Sequence, residues 1–122
     1  MAKGITIAAR KQKARLLQQL VRDMILSLDS RLVKDDDVRS TPMGNADVDI
    51  QLSTAAKEVF PFAVECKASE SVSLWAAFEQ AEQHAAKNQL MPLAVMKRNR
   101  TKALAILTLD DFFKLLSQKG SK

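Results

Sequence analysis

The run FPFAVECKA, residues 60–68, constrains the fold more than any other stretch of this chain. It is as long as an ordinary core strand, and it is bounded by Pro61 at one end and by the polar SES of residues 69–71 at the other. The two-residue period of a strand places Phe62, Val64 and Cys66 on one face and Ala63, Glu65 and Lys67 on the other. A carboxylate and an ammonium on a mostly apolar strand are costly to bury unless they are paired or hold a cation. A partly exposed strand with an ordinary cross-strand ion pair explains the same pattern.

The flanking pattern predicts helices and further strands. Residues 9–28 read as an amphipathic helix, with Leu17, Leu20, Val21, Met24 and Leu28 as its apolar stripe. A short strand is expected around Val38, followed by a turn at PMGN, residues 42–45. Residues 47–53 alternate, with Val48, Ile50 and Leu52 against Asp47, Asp49 and Gln51; residues 54–58 read as a connecting loop. Ser71 or Ser73 caps a helix reaching Asn88 with the stripe Leu74, Ala77, Phe78, Ala81 and Ala85. Trp75 and Phe78 are expected in the core. Residues 90–97 and 102–109 read as strands, and Asp110 as the cap of a last helix over 111–117. The order α-β-β-β-α-β-β-α describes one α/β domain with a mixed central sheet flanked by helices. Residues 1–8 and 118–122 are expected to be flexible.

The 122 residues, 47% of them hydrophobic and 27% charged, suffice for a single core without staples. One cysteine excludes an internal disulfide and fits a reducing compartment. No apolar run approaches the roughly 18 residues of a bilayer span, and the start does not read as a secretory signal. A cytoplasmic protein is expected.

Charge is distributed unevenly over the net +5. Lys3, Arg10, Lys11, Lys13, Arg15 and Arg22 precede the first acidic residue, and Lys97, Arg98, Arg100 and Lys102 cluster late. Between them lie Asp35, Asp36, Asp37, Asp47 and Asp49. Basic flanks hold a phosphate backbone, and an acidic middle holds a cation. If residues 47–53 and 60–68 form an antiparallel hairpin, Asp49 stands opposite Glu65, where two carboxylates repel unless a cation joins them. Carboxylates, water and a substrate phosphate are the usual company of Mg²⁺. Such a cation polarises a phosphodiester and acidifies water for in-line attack, and Lys67 would orient that water or neutralise the growing charge. A two-residue slip of register exchanges Asp49 for Asp47.

Asp49, Glu65 and Lys67, set as D-(x)15-E-C-K within DIQLSTAAKEVFPFAVECK, resemble the motif of the PD-(D/E)XK nuclease superfamily. The helix before the motif and the glutamine-bearing helix after it extend the resemblance over nearly the whole chain. DDVRSTPMG, FPFAVECK, LWAAFEQAE, MKRNR and LDDFFKLL resemble small phage and prophage nucleases similar to Holliday-junction resolvases. The resemblance implies a PD-(D/E)XK fold over residues 1–122 and a homodimeric DNA endonuclease in the host cytoplasm. It implies Asp49 and Glu65 as ligands of Mg²⁺, or of Mn²⁺ in its place, and Lys67 as a catalytic group. Gln80 would be the helix glutamine that contacts the lysine or the substrate; a solvent-facing glutamine is the alternative. Lys11, Arg15, Gln19, Arg22, Lys97, Arg98 and Arg100 would contact DNA. The chain departs from the family at LLQQLVRD, where a first-helix glutamate is replaced by Gln18 and Gln19, and in having no proline before Asp49. The histidine His84, one turn beyond Gln80, is expected to be a surface residue. A nicking or end-processing nuclease, a DNA-binding module with a degenerate site, and a protein that ignores nucleic acid are the competing readings.

Overall fold

The computed structural model describes residues 6–42, 48–71 and 73–120. Helix α1 (Ile7–Leu26) begins where the Thr6 side chain accepts the Ala9 N–H at 3.1 Å, which satisfies one of the orphan donors of the first turn. It buries Leu17, Gln18, Val21 and Ile25. This stripe is rotated from the expected one, for Leu20, Met24 and Leu28 are exposed. Apolar side chains occupy two neighbouring i, i+4 rows of α1, and only packing against the sheet selects between them.

Strand β1 (Val38–Ser40) pairs antiparallel with β2 (Ile50–Leu52), with Val38 opposite Leu52 and Ser40 opposite Ile50. Among the described residues the hairpin expected between residues 47–53 and 60–68 is therefore not formed. In place of the expected loop stands a short helix, α2 (Thr54–Val59), capped by Ser53, whose side chain accepts the Ala56 N–H at 3.1 Å. The turn signal at residues 42–45, past Pro42, and the alternative ligand Asp47 lie outside the described residues.

Strand β3 (Phe62–Ala68) pairs parallel with β4 (Met91–Lys97) across α3 (Leu74–Asn88), and β4 pairs antiparallel with β5 (Leu104–Ile106). Parallel pairing needs such a crossover, and it buries both faces of the strand. On one face Phe62, Val64, Cys66, Leu93 and Val95 pack with Leu17, Val21 and Ile25 of α1. On the other, Ala77 and Phe78 of α3 pack on Ala94. The architecture is α/β, with a mixed sheet between helices.

Of the two serines expected to cap α3, Ser73 does so. Leu74 and Trp75 in its first turn face solvent, and Trp75, expected in the core, is 75% exposed. The last helix, α4 (Leu109–Gly120), is capped by Thr108 rather than Asp110, through the Asp111 N–H at 3.0 Å. It continues through part of the C-terminal segment expected to be flexible. Among the described residues no helix is long and apolar enough to cross a membrane.

Candidate active site

Asp49 stands at the join between the two sheets. Its carbonyl accepts the Thr41 N–H at 2.9 Å, and its own N–H donates to the Val64 carbonyl of β3 at 3.3 Å. Its carboxylate accepts the Cys66 N–H at 2.6 Å. The outer edge of β3 thus finds an acceptor in a side chain where a paired strand would have offered a carbonyl. Asp49 is held beside Glu65, as the sequence spacing led one to expect, but by these three bonds and not by a hairpin.

Glu65 points from β3 toward α3 and is only 8% exposed. Its Oε2 lies 3.5 Å from Lys67 Nζ. Its Oε1 is buried and accepts no hydrogen bond from the described residues. Burial raises the pKa of Glu65, the nearby Asp49 carboxylate raises it further, and Lys67 and His84 oppose both. Burial likewise raises Asp49, against the Cys66 N–H and the charges of Lys67 and His84. Two carboxylates whose surroundings disfavour their charge, one with an orphaned oxygen, form a donor set that a divalent cation fits. The side chains do not already form a closed cage: among the described residues no three acidic, histidine or cysteine groups are gathered as a ready ligand set.

Lys67 is half-buried on the same face. Cys66 faces the α1-side core, and burial pushes its thiol well above the usual range, so it stays protonated and unreactive. Gln80 is exposed on α3 and makes no side-chain hydrogen bond to the described residues. The residue that α3 does bring to the site is His84, whose Nε2 lies 3.8 Å from Glu65 Oε1 with its side chain largely buried. Its neighbours Ala81 and Ala85 pack inward, and this proximity to two small buried residues was the signal in the sequence.

The first-helix position of interest, Gln18, is 4% exposed and accepts the Ser40 hydroxyl at 2.6 Å. It is engaged by β1. Asp37 organises a turn: its carboxylate accepts the Val33 N–H at 2.7 Å and the Ser53 hydroxyl at 2.7 Å, and the latter bond holds its pKa below the usual range.

Two groups of basic residues lie on either side of α1. Lys97 and Arg98 line a cleft of about 680 Å³ with Arg10, Lys13 and Glu70, at the C-terminal end of β3. Lys13 reaches across it to the Asn99 side chain. Arg15, Gln19 and Arg22 line a second cleft of about 490 Å³ with Arg39 and Asp35. Lys11 and Arg100 are exposed and line neither cleft; Arg10 and Lys13, three apart on the helix, take the place expected for Lys11. Neither cleft contains Glu65. The larger one reaches β3 at Ala68, which packs against the α1-side core.

Comparison with protein-family models, with curated proteins and with solved structures gives no match. The functional reading therefore rests on the residues and their geometry.

Proposed function

We propose that this chain is a divalent-cation-dependent DNA endonuclease with a PD-(D/E)XK-type centre made of Asp49, Glu65 and Lys67. The observation that carries the reading is the half-buried Asp49 beside the buried Glu65, whose Oε1 accepts no hydrogen bond from the described residues and whose Oε2 lies 3.5 Å from Lys67 Nζ.

A bound Mg²⁺ or Mn²⁺ supplies Lewis-acid polarisation of the phosphodiester. Asp49 and Glu65 would hold it. Lys67 brings a compact charge to the same face, where it neutralises charge developing on the phosphate or orients the attacking water. The Cys66 N–H fixes one Asp49 oxygen and leaves the other for a ligand role. Arg10, Lys13, Lys97 and Arg98 hold the DNA backbone near the C-terminal end of β3, and Arg15, Gln19, Arg22 and Arg39 hold a neighbouring segment. Contacts of this kind carry affinity without sequence preference.

Within this activity, resolution of branched DNA by a homodimer is the substrate reading, as the resemblance to phage resolvase-like nucleases implies. The test is incubation of a labelled four-way junction and a matching linear duplex with Mg²⁺, Mn²⁺ or EDTA, beside Lys67→Ala. Cleavage should need both the cation and Lys67, and the junction should be cut in preference. Sedimentation on junction DNA should show two protomers, and a strict monomer would remove the resolvase reading. Preference for the linear duplex would instead make the protein a nicking or end-processing nuclease. One observation favours a second reading. Gln18 is neutral and occupied by Ser40, so the first helix adds no charge to the site, as in a binding module that has lost catalysis. DNA binding without cleavage in either metal would select it.

A further inference from the structure

Strands β3 and β4 run parallel and end together, with Ala68 opposite Lys97. The cleft of about 680 Å³ lies at these carboxyl ends, where the chain turns away from an open α/β sheet and leaves a crevice for ligands. Its walls are braced. The Asn99 N–H donates to the Glu70 carboxylate at 2.6 Å, and Lys13 donates to the Asn99 side chain. Helix α1 and the ends of both strands are thereby tied together around it.

Two chemistries line this cleft. Arg10, Lys13, Lys97 and Arg98 bring four cations against the one carboxylate of Glu70. Among the described residues none of the four forms an ion pair, so their charge is free for an anion. Leu16 and Leu20 line the same cleft and are 53% and 43% exposed. A phosphate accounts for the cations but not for the leucines. In a continuous duplex the base faces are stacked on one another, and a protein meets phosphates, sugars and groove edges. An unpaired nucleotide offers a phosphate and a free base face together. The volume falls in the range of small-ligand sites, roughly 300–1,000 Å³, which admits a nucleotide and not a duplex.

Resting on the reading of this chain as a protein that acts on DNA, we propose that the cleft takes an unpaired nucleotide. Its base lies against Leu16 and Leu20, and its phosphates meet Arg10, Lys13, Lys97 and Arg98. Lys13 exchanges its neutral acceptor on Asn99 for a phosphate oxygen, a stronger, charge-assisted bond. The substrate class is then DNA whose strands leave the stack, at a branch point, a flap or a single-stranded tail. Taking a base out of the stack costs least where the strand is already unpaired.

The test is binding to the full chain in EDTA, read by polarisation of labelled oligonucleotides of one length. The probes are a single strand, the same strand in a duplex, and a strand of abasic sites that keeps only the phosphates. The single strand should bind about tenfold tighter than the abasic strand, the size of one stacked base, and tighter than the duplex. Leu16→Ser with Leu20→Ser, at exposed positions, should bring the single strand down to the abasic value. The inference is overturned if the abasic strand or the duplex binds as tightly as the single strand, a result that the wild-type protein gives even if the variant does not fold. It is also overturned if Trp75→Ala removes the preference and the serine variant keeps it, because the base then lies on the exposed first turn of α3. Single-strand preference without metal-dependent cleavage keeps the cleft and removes the nuclease. Cleavage without that preference removes the role of the cleft alone. Binding to no oligonucleotide removes both, and binding to phosphatidylglycerol vesicles instead would assign the cations to a lipid phosphate.

Discussion

Asp49 carries two duties that a sequence motif presents as one. It bonds to Thr41, Val64 and Cys66 and so joins the sheets, and it stands beside Glu65 as a prospective ligand. Asp49→Asn keeps an acceptor for the Cys66 N–H and separates the duties; Asp49→Ala loses both. The electrostatics of the pair set a stability prediction. Both carboxyls have folded-state pKa values raised by burial. The folded chain therefore binds more protons than the unfolded chain from the ordinary carboxylate range up to the raised values. Stability falls as pH rises through that window and stays lowered above it. In EDTA at pH 7, Glu65→Gln should be more stable to urea than the wild type. The gap should close below about pH 4, where the unfolded glutamate is also protonated. An equal gap at both pH values would show that burial of the charge is not its cause.

At the scale of elements, helix ends decide more than helix interiors. Ser53 caps α2 and also donates to Asp37, while the Ser53 N–H bonds the Asp37 carbonyl at 2.8 Å. Ser53→Ala should cost about 1–2 kcal/mol in urea unfolding; a loss below about 0.3 kcal/mol would mean that water replaces these bonds without penalty. At the other end of α3, Gln89 adopts a left-handed conformation, φ 55°, and its N–H bonds the Ala85 carbonyl. Glycine enters that conformation without a Cβ clash. Gln89→Gly should therefore be neutral or stabilising by up to about 1 kcal/mol, whereas Gln83→Gly within the helix should cost about 1 kcal/mol. Equal losses at both sites, measured by thermal unfolding, would contradict the cap. The strands at 62–68 and 91–97 and the long helices were legible because their period and caps are local. Helix α2 was not: six residues carry too little periodicity to tell a helix from a loop.

For the whole molecule, α1 is the partition that divides the basic side chains into two clefts. Each phosphate contact releases counterions, so affinity for DNA falls with salt in proportion to their number. Lys97→Ala with Arg98→Ala should reduce the slope of log affinity against log salt by about 2. Titration of DNA followed by the fluorescence of Trp75, the one tryptophan and an exposed one, would read it. An unchanged slope would place DNA on the Arg15–Arg22–Arg39 side instead.

The sequence by itself determined the α/β class, the core strand that runs over 62–68 and the face on which Glu65 and Lys67 lie together. These follow from local periodicity and from the cost of burying charge. Tertiary structure alone decided what covers that face. The pairing of β2 with β1, the stitch from Asp49 to Cys66, the rotation of α1 that buries Gln18 and the approach of His84 all depend on partners distant in the chain. Side-chain alternation states which residues share a face, but only packing states which element meets it.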